Sequence, residues 1–354
     1  MSGLNARPAV PRPLDPSHTM DLPLSVLDLA PVPSGSTQAE ALRRTVDLAR
    51  LAERRGFTRL WYAEHHGMPG IASSAPELLI AHAAAATERI RVGSGGIMMQ
   101  NHVPLKLAEA FRTLAALHPG RIDLGIGRAP GTDPATSRAL RAFEPDAFAG
   151  QLAELLAFTS GGFPEGHPFR AVQAVPSDVP LPPIWLLGSS GASAQFAGSN
   201  GLGYAFASHF SPAPATPALR AYREAFVPSE AFPRPHAILA VAAVCAPTQE
   251  EAEHLAAPMD LVWVRLQRGE LGPFPTPEEA LAYPYTPEER ASVHARRALL
   301  VAGTPADVRA RIEALAAEAG ADEVMTTTMV HDPAARLRSY DLLADAFAEA
   351  ALPA

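Results

Sequence analysis

A single cysteine, Cys245, is the whole thiol content of this 354-residue chain, so an internal disulfide and a Cys-based zinc site are both excluded. Charge is sparse as well: charged residues make up 19% and the net formal charge is −8. A protein gripping the nucleic-acid backbone wants a basic face, and this chain has no basic surplus. No apolar run reaches the roughly 18 residues of a membrane span. The HExxH helix of zinc proteases, the Gly-x-Ser-x-Gly elbow of serine hydrolases and the GxxxxGK[ST] phosphate loop are all missing. What remains, at 47% hydrophobic residues, is the composition of a globular enzyme, expected in a reducing cytoplasm with no membrane or nucleic-acid partner.

Residues Met1–Asp21 hold Pro8, Pro11, Pro13 and Pro16 and no apolar stretch of the secretory kind. They read as a disordered extension, with Met20 as an alternative start and order beginning at Leu22. From there strands and helices alternate. Leu24–Val32 reads as a strand, Gln38–Arg55 as a helix stopped by Gly56, Thr58–Ala63 as a strand and Ala75–Arg89 as a helix. Strand Ile90–Met99, helix Pro104–Leu117 and strand Arg121–Gly127 follow. Gly131–Ser160 reads as helical behind an Asp133-Pro134 cap. The remaining strands are Pro183–Gly188, Tyr204–Ser208, Ala237–Ala246 and Glu323–Val330. Helix Pro305–Ala319 precedes the last, and a helix opened by Asp332-Pro333 runs to Ala350.

These strands are apolar on both faces, as in a parallel sheet covered on each side. Eight βα units favour a closed (β/α)8 barrel, one domain over residues 22–354, rather than an open doubly wound sheet. Pro258–His294 breaks the rhythm between the seventh and eighth strands, with six prolines around Trp263, Phe274, Tyr283 and Tyr285. An insertion there is either a lid on the barrel mouth or a surface excursion.

Active sites of such barrels lie just after the strands. That places Asp28, Glu64-His65-His66, Gln100-Asn101-His102, Arg128, Gly188–Ser193, Ser208-His209-Phe210 and His331-Asp332 among the candidates. Neighbouring histidines on extended chain point to opposite sides, so His65 and His66 do not read as one metal site. A single inward histidine would serve as a base or hydrogen-bond donor, or would cap the mouth structurally. The run GSSGAS, with Ser189, Ser190 and Gly191, is an anion cradle at a helix start or a plain capping turn. Arg128, in GIGRAPG, would grip a phosphate or pair with a carboxylate. The GxGxxxG spacing there differs from the dinucleotide fingerprint. Gly95-Gly96, after Ser94 in mid-strand, marks a bulge or the close approach of a flat ring.

The segments WYAEHHGMPGIASSAPELLIAHAAAATERIRVGSGGIMMQNHVPLKLAEAF, LHPGRIDLGIGRAPGTDP, LGSSGASAQFA, YAFASHF and VAGTPADV together resemble the bacterial luciferase-like, flavin-dependent monooxygenase family. The likeness covers nearly the whole chain from Leu24 and is greatest to the branch of single-chain oxidoreductases. It implies a (β/α)8 barrel, a homodimer, and reduced FMN delivered by a separate flavin reductase. It further implies reaction with O2 to a C4a-hydroperoxide and oxygenation of a small organic substrate. By motif position, His65 matches the catalytic histidine, Arg128 the phosphate-contacting arginine, and Ser189, Ser190 and Gly191 the phosphate turn. Ser94, Gly95 and Gly96 match the segment under the flavin ring, where the family forms a cis non-proline peptide at the position of Gly95–Gly96. Gly188 and Ala192 stand where true luciferases carry an acidic residue and a threonine, which leaves the phosphate to amides and Arg128. Relatives that use the deazaflavin F420 for hydride transfer define the alternative, with a non-catalytic flavin-binding protein behind it. No metal is expected.

Overall fold

The computed structural model describes residues 22–129, 131–142 and 145–348. The expected extension Met1–Asp21 lies outside them, as does the expected helix end at Ala350. Among the described residues, ten strands form one parallel sheet: β1 (Leu24–Asp28), β2 (Arg59–Tyr62), β3 (Arg91–Ser94), β4 (Ile97–Met98), β5 (Ile122–Gly127), β6 (Ile184–Gly188), β7 (Gly203–Phe206), β8 (Ala237–Cys245), β9 (Leu300–Gly303) and β10 (Glu323–Thr327). The ring runs β1-β2-β3-β5-β6-β7-β8-β10 and closes through β10 onto β1, with β4 continuing β3 along β5. This is the expected (β/α)8 barrel. Strands β1, β2, β5, β7 and β8 are buried at every residue, because one face fills the barrel and the other meets helices.

The helices are α1 (Gln38–Arg54), α2 (Pro76–Ala85), α3 (Pro104–Leu117), α4 (Pro134–Ala139), α5 (Phe148–Ser160), α6 (Gly191–Ser199), α7 (Ala215–Glu224), α8 (Gln249–Arg268), α9 (Pro277–Ala282), α10 (Pro287–Arg297), α11 (Pro305–Ala319) and α12 (Pro333–Phe347). Many open on a proline, whose missing N–H costs nothing at a helix start. None is long and apolar enough to cross a membrane.

At the N-terminal end of the barrel the apolar filling gives way to ions. Arg59 donates to Glu323 at 2.8 and 2.9 Å and to Asp123 at 2.8 Å, all three buried. Arg91, His236 and Trp61 supply further donors to the two carboxylates, so no oxygen faces the core unpaired.

Several details depart from the sequence expectation. The strand Ile90–Met99 is broken: Gly93 pairs with Asp123 and Ile97 with Ile126, so four steps on one strand face three on the other. The extra residue is a bulge at Gly95–Gly96, whose peptide bond is cis. Gly131–Ser160 is not one helix but α4 and α5, separated where Arg141 takes a positive φ of 55°. The stretch 258–294 begins in the middle of α8 and continues through α9 and most of α10.

Strand β9 has no counterpart in the sequence reading. Ala242 of β8 pairs with Thr327 on one edge and with Leu300 on the other, so β9 takes the edge that β7 leaves free. Four apolar residues directly after a helix carry no period that separates strand from helix.

Candidate functional site

The strand register gathers the candidate residues at one end of the barrel. Tyr62 of β2 pairs with Ser94 of β3, Met98 of β4 with Gly127 of β5, and Gly127 with Leu187 of β6. His65, Gly95–Gly96, Arg128 and Ser189–Gly191 therefore leave four consecutive staves at the C-terminal face.

Glu64 ties these loops together. Its fully buried carboxylate accepts from His66 Nε2 at 2.8 Å, His102 Nε2 at 2.9 Å, Asn101 Nδ2 at 3.0 Å and the Met98 amide at 2.9 Å. Burial alone would raise its pKa, but the hydrogen bonds from His102 and His66 bring it down to about 2. Burial likewise pulls the His102 imidazole down, and Glu64 more than reverses this, leaving it raised. Gly131, at φ +64°, packs onto the hub: a Cβ there would come within 2.9 Å of the Glu64 carbonyl and of Met98 Cγ. Loops from β2, β4 and β5 thus share one anchor.

With His66 turned to Glu64, His65 faces the other way. Its amide donates to the Ser73 carbonyl at 2.9 Å. The ring is half-buried, with Nδ1 sealed and unpartnered among the described residues. Burial, aided by His66 and opposed by Glu64, pulls its pKa below the usual histidine value. Burial therefore favours the neutral imidazole.

Ser94 is fully buried, and its hydroxyl donates to the Gly125 carbonyl at 2.7 Å, so only backbone remains there to meet a ligand. The glycines have a reason inside the barrel. A Cβ on Gly95 would lie 2.6 Å from Leu27 Cδ1, and one on Gly96 would lie 2.9 Å from the Gly125 backbone. Neighbouring strands thus require the bare backbone, whatever binds above it.

Ser190 is the N-cap of α6, accepting from the Ser193 amide at 3.4 Å, while Ser193 Oγ donates to the Ser190 carbonyl at 2.8 Å. Tyr204 Oη braces the turn at 3.0 Å from Ser193 Oγ. Ser189 is half-buried, and Ser190, Gly191 and Ala192 are exposed. A Cβ on Gly191 would touch nothing within 4 Å. The first amides of α6 therefore open outward. Arg128 follows the neighbouring strand β5, and its exposed guanidinium has no partner among the described residues.

Other candidates belong to the scaffold. Asp28 accepts from Arg336 of α12 at 2.9 Å and from the Ala30 amide at 2.7 Å. His331 bonds Ser34 on the β1 loop at 3.1 Å. A cleft of ≈ 490 Å³ between α8, α9, α10 and β9 contains none of the mouth residues named above, and the Arg297–Asp260 pair lines its wall. Sequence reasoning did not find Arg296, which reaches from α10 to the carbonyls of His209 and Phe210 at 3.1 and 3.0 Å. One of two neighbouring arginines in an exposed helix gives no local sign of such a bridge.

Residues 22–323 match the family described as luciferase-like monooxygenase. A luciferase-like monooxygenase of Escherichia coli (strain K12) is 43% identical over 324 residues, covering 91% of this chain and 96% of the relative. The N-acetyl-S-alkylcysteine monooxygenase of Bacillus subtilis (strain 168) is 35% identical over 329 residues, covering 91% and 97%. Among solved structures, apo-MsnO8 superposes with a TM-score of 0.84 at 41% identity, over 92% of this chain and 97% of that one. The same barrel recurs, at 20% and 14% identity, in an FMN complex of a Pseudomonas putida diketocamphane monooxygenase and in an F420-dependent secondary alcohol dehydrogenase, with TM-scores of 0.70 and 0.66. The chain belongs to the luciferase-like monooxygenase family.

Proposed function

We propose that the protein uses dioxygen and reduced FMN, delivered by a separate reductase, to oxygenate a small organic substrate. The observation that carries this reading is the placement of an open helix N-terminus and the exposed Arg128 on neighbouring staves, with the Gly95–Gly96 bulge and His65 on the next two. The residues fit the cofactor. A phosphate would take the outward amides at the start of α6 and the Arg128 guanidinium, which together supply both field and donors. A flat ring would rest against the Gly95–Gly96 backbone, beside which the Ser94 hydroxyl is already tied to the Gly125 carbonyl.

When bound, reduced FMN supplies the activation of dioxygen, chemistry no side chain here can perform. The chain's own work is to bind, orient and shield. His65 would hold or accept a proton at Nε2, with Glu64 fixing the loop on which it sits. Helix α10, pinned to the β7 loop by Arg296, would restrict water at the mouth. A homodimer and a cytoplasmic location form part of the same reading. The likeness to a monooxygenase of N-acetyl-S-alkylcysteine makes N-acetylated S-alkylcysteines the first substrates to try.

The test is an anaerobic titration of the protein with reduced FMN and, separately, with reduced F420, followed by admission of air. Binding of reduced FMN, with dioxygen-dependent consumption of an added N-acetyl-S-alkylcysteine, supports the reading. Binding of F420 alone, with no reaction with dioxygen, replaces it with hydride transfer.

A further inference from the structure

Helices α8 and α10 both line the ≈ 490 Å³ cleft that lies apart from the mouth. From α8 the cleft takes Glu253 and Asp260, and from α10 it takes Arg290, His294 and Arg297. Within each helix these residues stand a whole number of turns apart, so each set is one face. The acceptors of the cleft are already committed. Arg297 donates to both oxygens of Asp260, at 2.7 and 2.9 Å, and to Glu253 Oε2 at 3.1 Å, while Gln249 donates to Glu253 Oε1 at 2.8 Å. The donors are not. Arg290 and His294 are exposed, and neither side chain has a partner among the described residues. The hydroxyls of Tyr283 and Tyr285, on the link between α9 and α10, likewise have none. Burial, then Asp260, pushes the Tyr285 phenol up to about 12, so it keeps its proton and can donate.

We propose that this cleft is a second binding site, one that takes a small aromatic carboxylate. A carboxylate supplies what the cleft is short of, acceptor oxygens, and it matches the fork of one guanidinium, that of Arg290. The acids nearby do not oppose it: Asp260 and Glu253 are held by Arg297, and Glu289 pairs with Arg268 at 2.5 Å. The ring has its own surface. Tyr283 and Tyr285 meet edge to face, with centroids 4.8 Å apart, and Tyr283 rests on Ala257, Leu261 and Ala280. The volume is that of a small-molecule site. Arg296, next to Arg297, reaches instead to the carbonyls of His209 and Phe210, so α10 serves the cleft and the mouth loop with different side chains. The proposal stands whether or not the mouth binds flavin.

The test is calorimetric titration of the full chain with benzoate, with benzamide, which keeps the ring and loses the charge, and with cyclohexanecarboxylate, which keeps the charge and loses the aromatic face. Benzoate should bind saturably, one per chain, with a Kd below about 1 mM. Benzamide should bind ~10-fold more weakly and cyclohexanecarboxylate ~3-fold more weakly. Arg290→Gln and His294→Gln remove exposed side chains without protein partners, so both should fold as the parent does. Arg290→Gln should lose ~10-fold in benzoate affinity and His294→Gln a smaller factor. Arg128→Ala, at the mouth, should bind benzoate as the parent does. Absence of saturable benzoate binding, equal affinity for benzoate and either other probe, or parental affinity in both cleft variants overturns the proposal. So does a loss of benzoate in Arg128→Ala, which would put the binding at the mouth.

Discussion

The Glu64 carboxylate and the His102 imidazole lie 2.9 Å apart in a pair that joins the β2 loop to the turn after β4. Their pKa values move in opposite directions. Glu64, depressed to about 2, contributes stability that is full above its ordinary value and is lost as pH falls toward 2. His102, raised, contributes stability that is full below its ordinary value and is lost as pH climbs through the raised one. The pair is therefore strongest between about pH 4.5 and 6.5. Glu64→Gln should lower the His102 pKa and cost about 3 kcal/mol, since four donors then face a single amide oxygen. Histidine ring titration by NMR, with denaturant melts at pH 5.5 and 8, checks both. An unmoved His102 would sink the pairing.

His65→Ala removes the neutral imidazole from the mouth while leaving the α6 turn and Arg128 in place. FMN affinity is expected to stay within about threefold, and product formed per flavin oxidised to fall by ~100-fold, the scale of a lost proton-transfer group. Product and hydrogen peroxide are measured together. Unchanged coupling would remove His65 from the chemistry.

The barrel was legible because its signal is repeated: apolar runs of strand length, each ended by a turn and followed by a capped helix. Where the signal is local, as in Asp133-Pro134 or Thr304-Pro305, the helix starts where expected. Strand β9 escaped because it is four residues long and borrows its edge from β8. The ion network beneath the mouth escaped for another reason. Arg59 and Glu323 are separated by 264 positions, and nothing near either announces the other.

Arg128→Ala should separate the two ends of the flavin. The guanidinium has no protein partner to lose among the described residues, so folding stability should change by less than about 0.5 kcal/mol. FMN affinity should drop ~10- to 100-fold, the range of a charge-assisted phosphate contact. Riboflavin, which lacks the phosphate, should bind the variant and the parent alike. A parallel loss for riboflavin would place Arg128 at the ring or in the scaffold instead.

Two glycines of the site region should respond in opposite ways to one added methyl group. At Gly125 a Cβ would lie 1.9 Å from the Ser94 carbonyl and 3.0 Å from Leu187 Cδ1. The first of these is backbone in a paired strand and cannot turn aside, so Gly125→Ala should cost about 3 kcal/mol or more. At Gly191 the same atom meets nothing within 4 Å, and the position opens a helix that alanine favours. Gly191→Ala should therefore melt at or slightly above the parent temperature. The empty space beside Gly191 matters only if something outside the chain fills it. If the FMN phosphate sits on these amides, Gly191→Ala will weaken FMN while leaving the fold intact. A variant equal to the parent in both melting temperature and FMN affinity would move the phosphate away from α6.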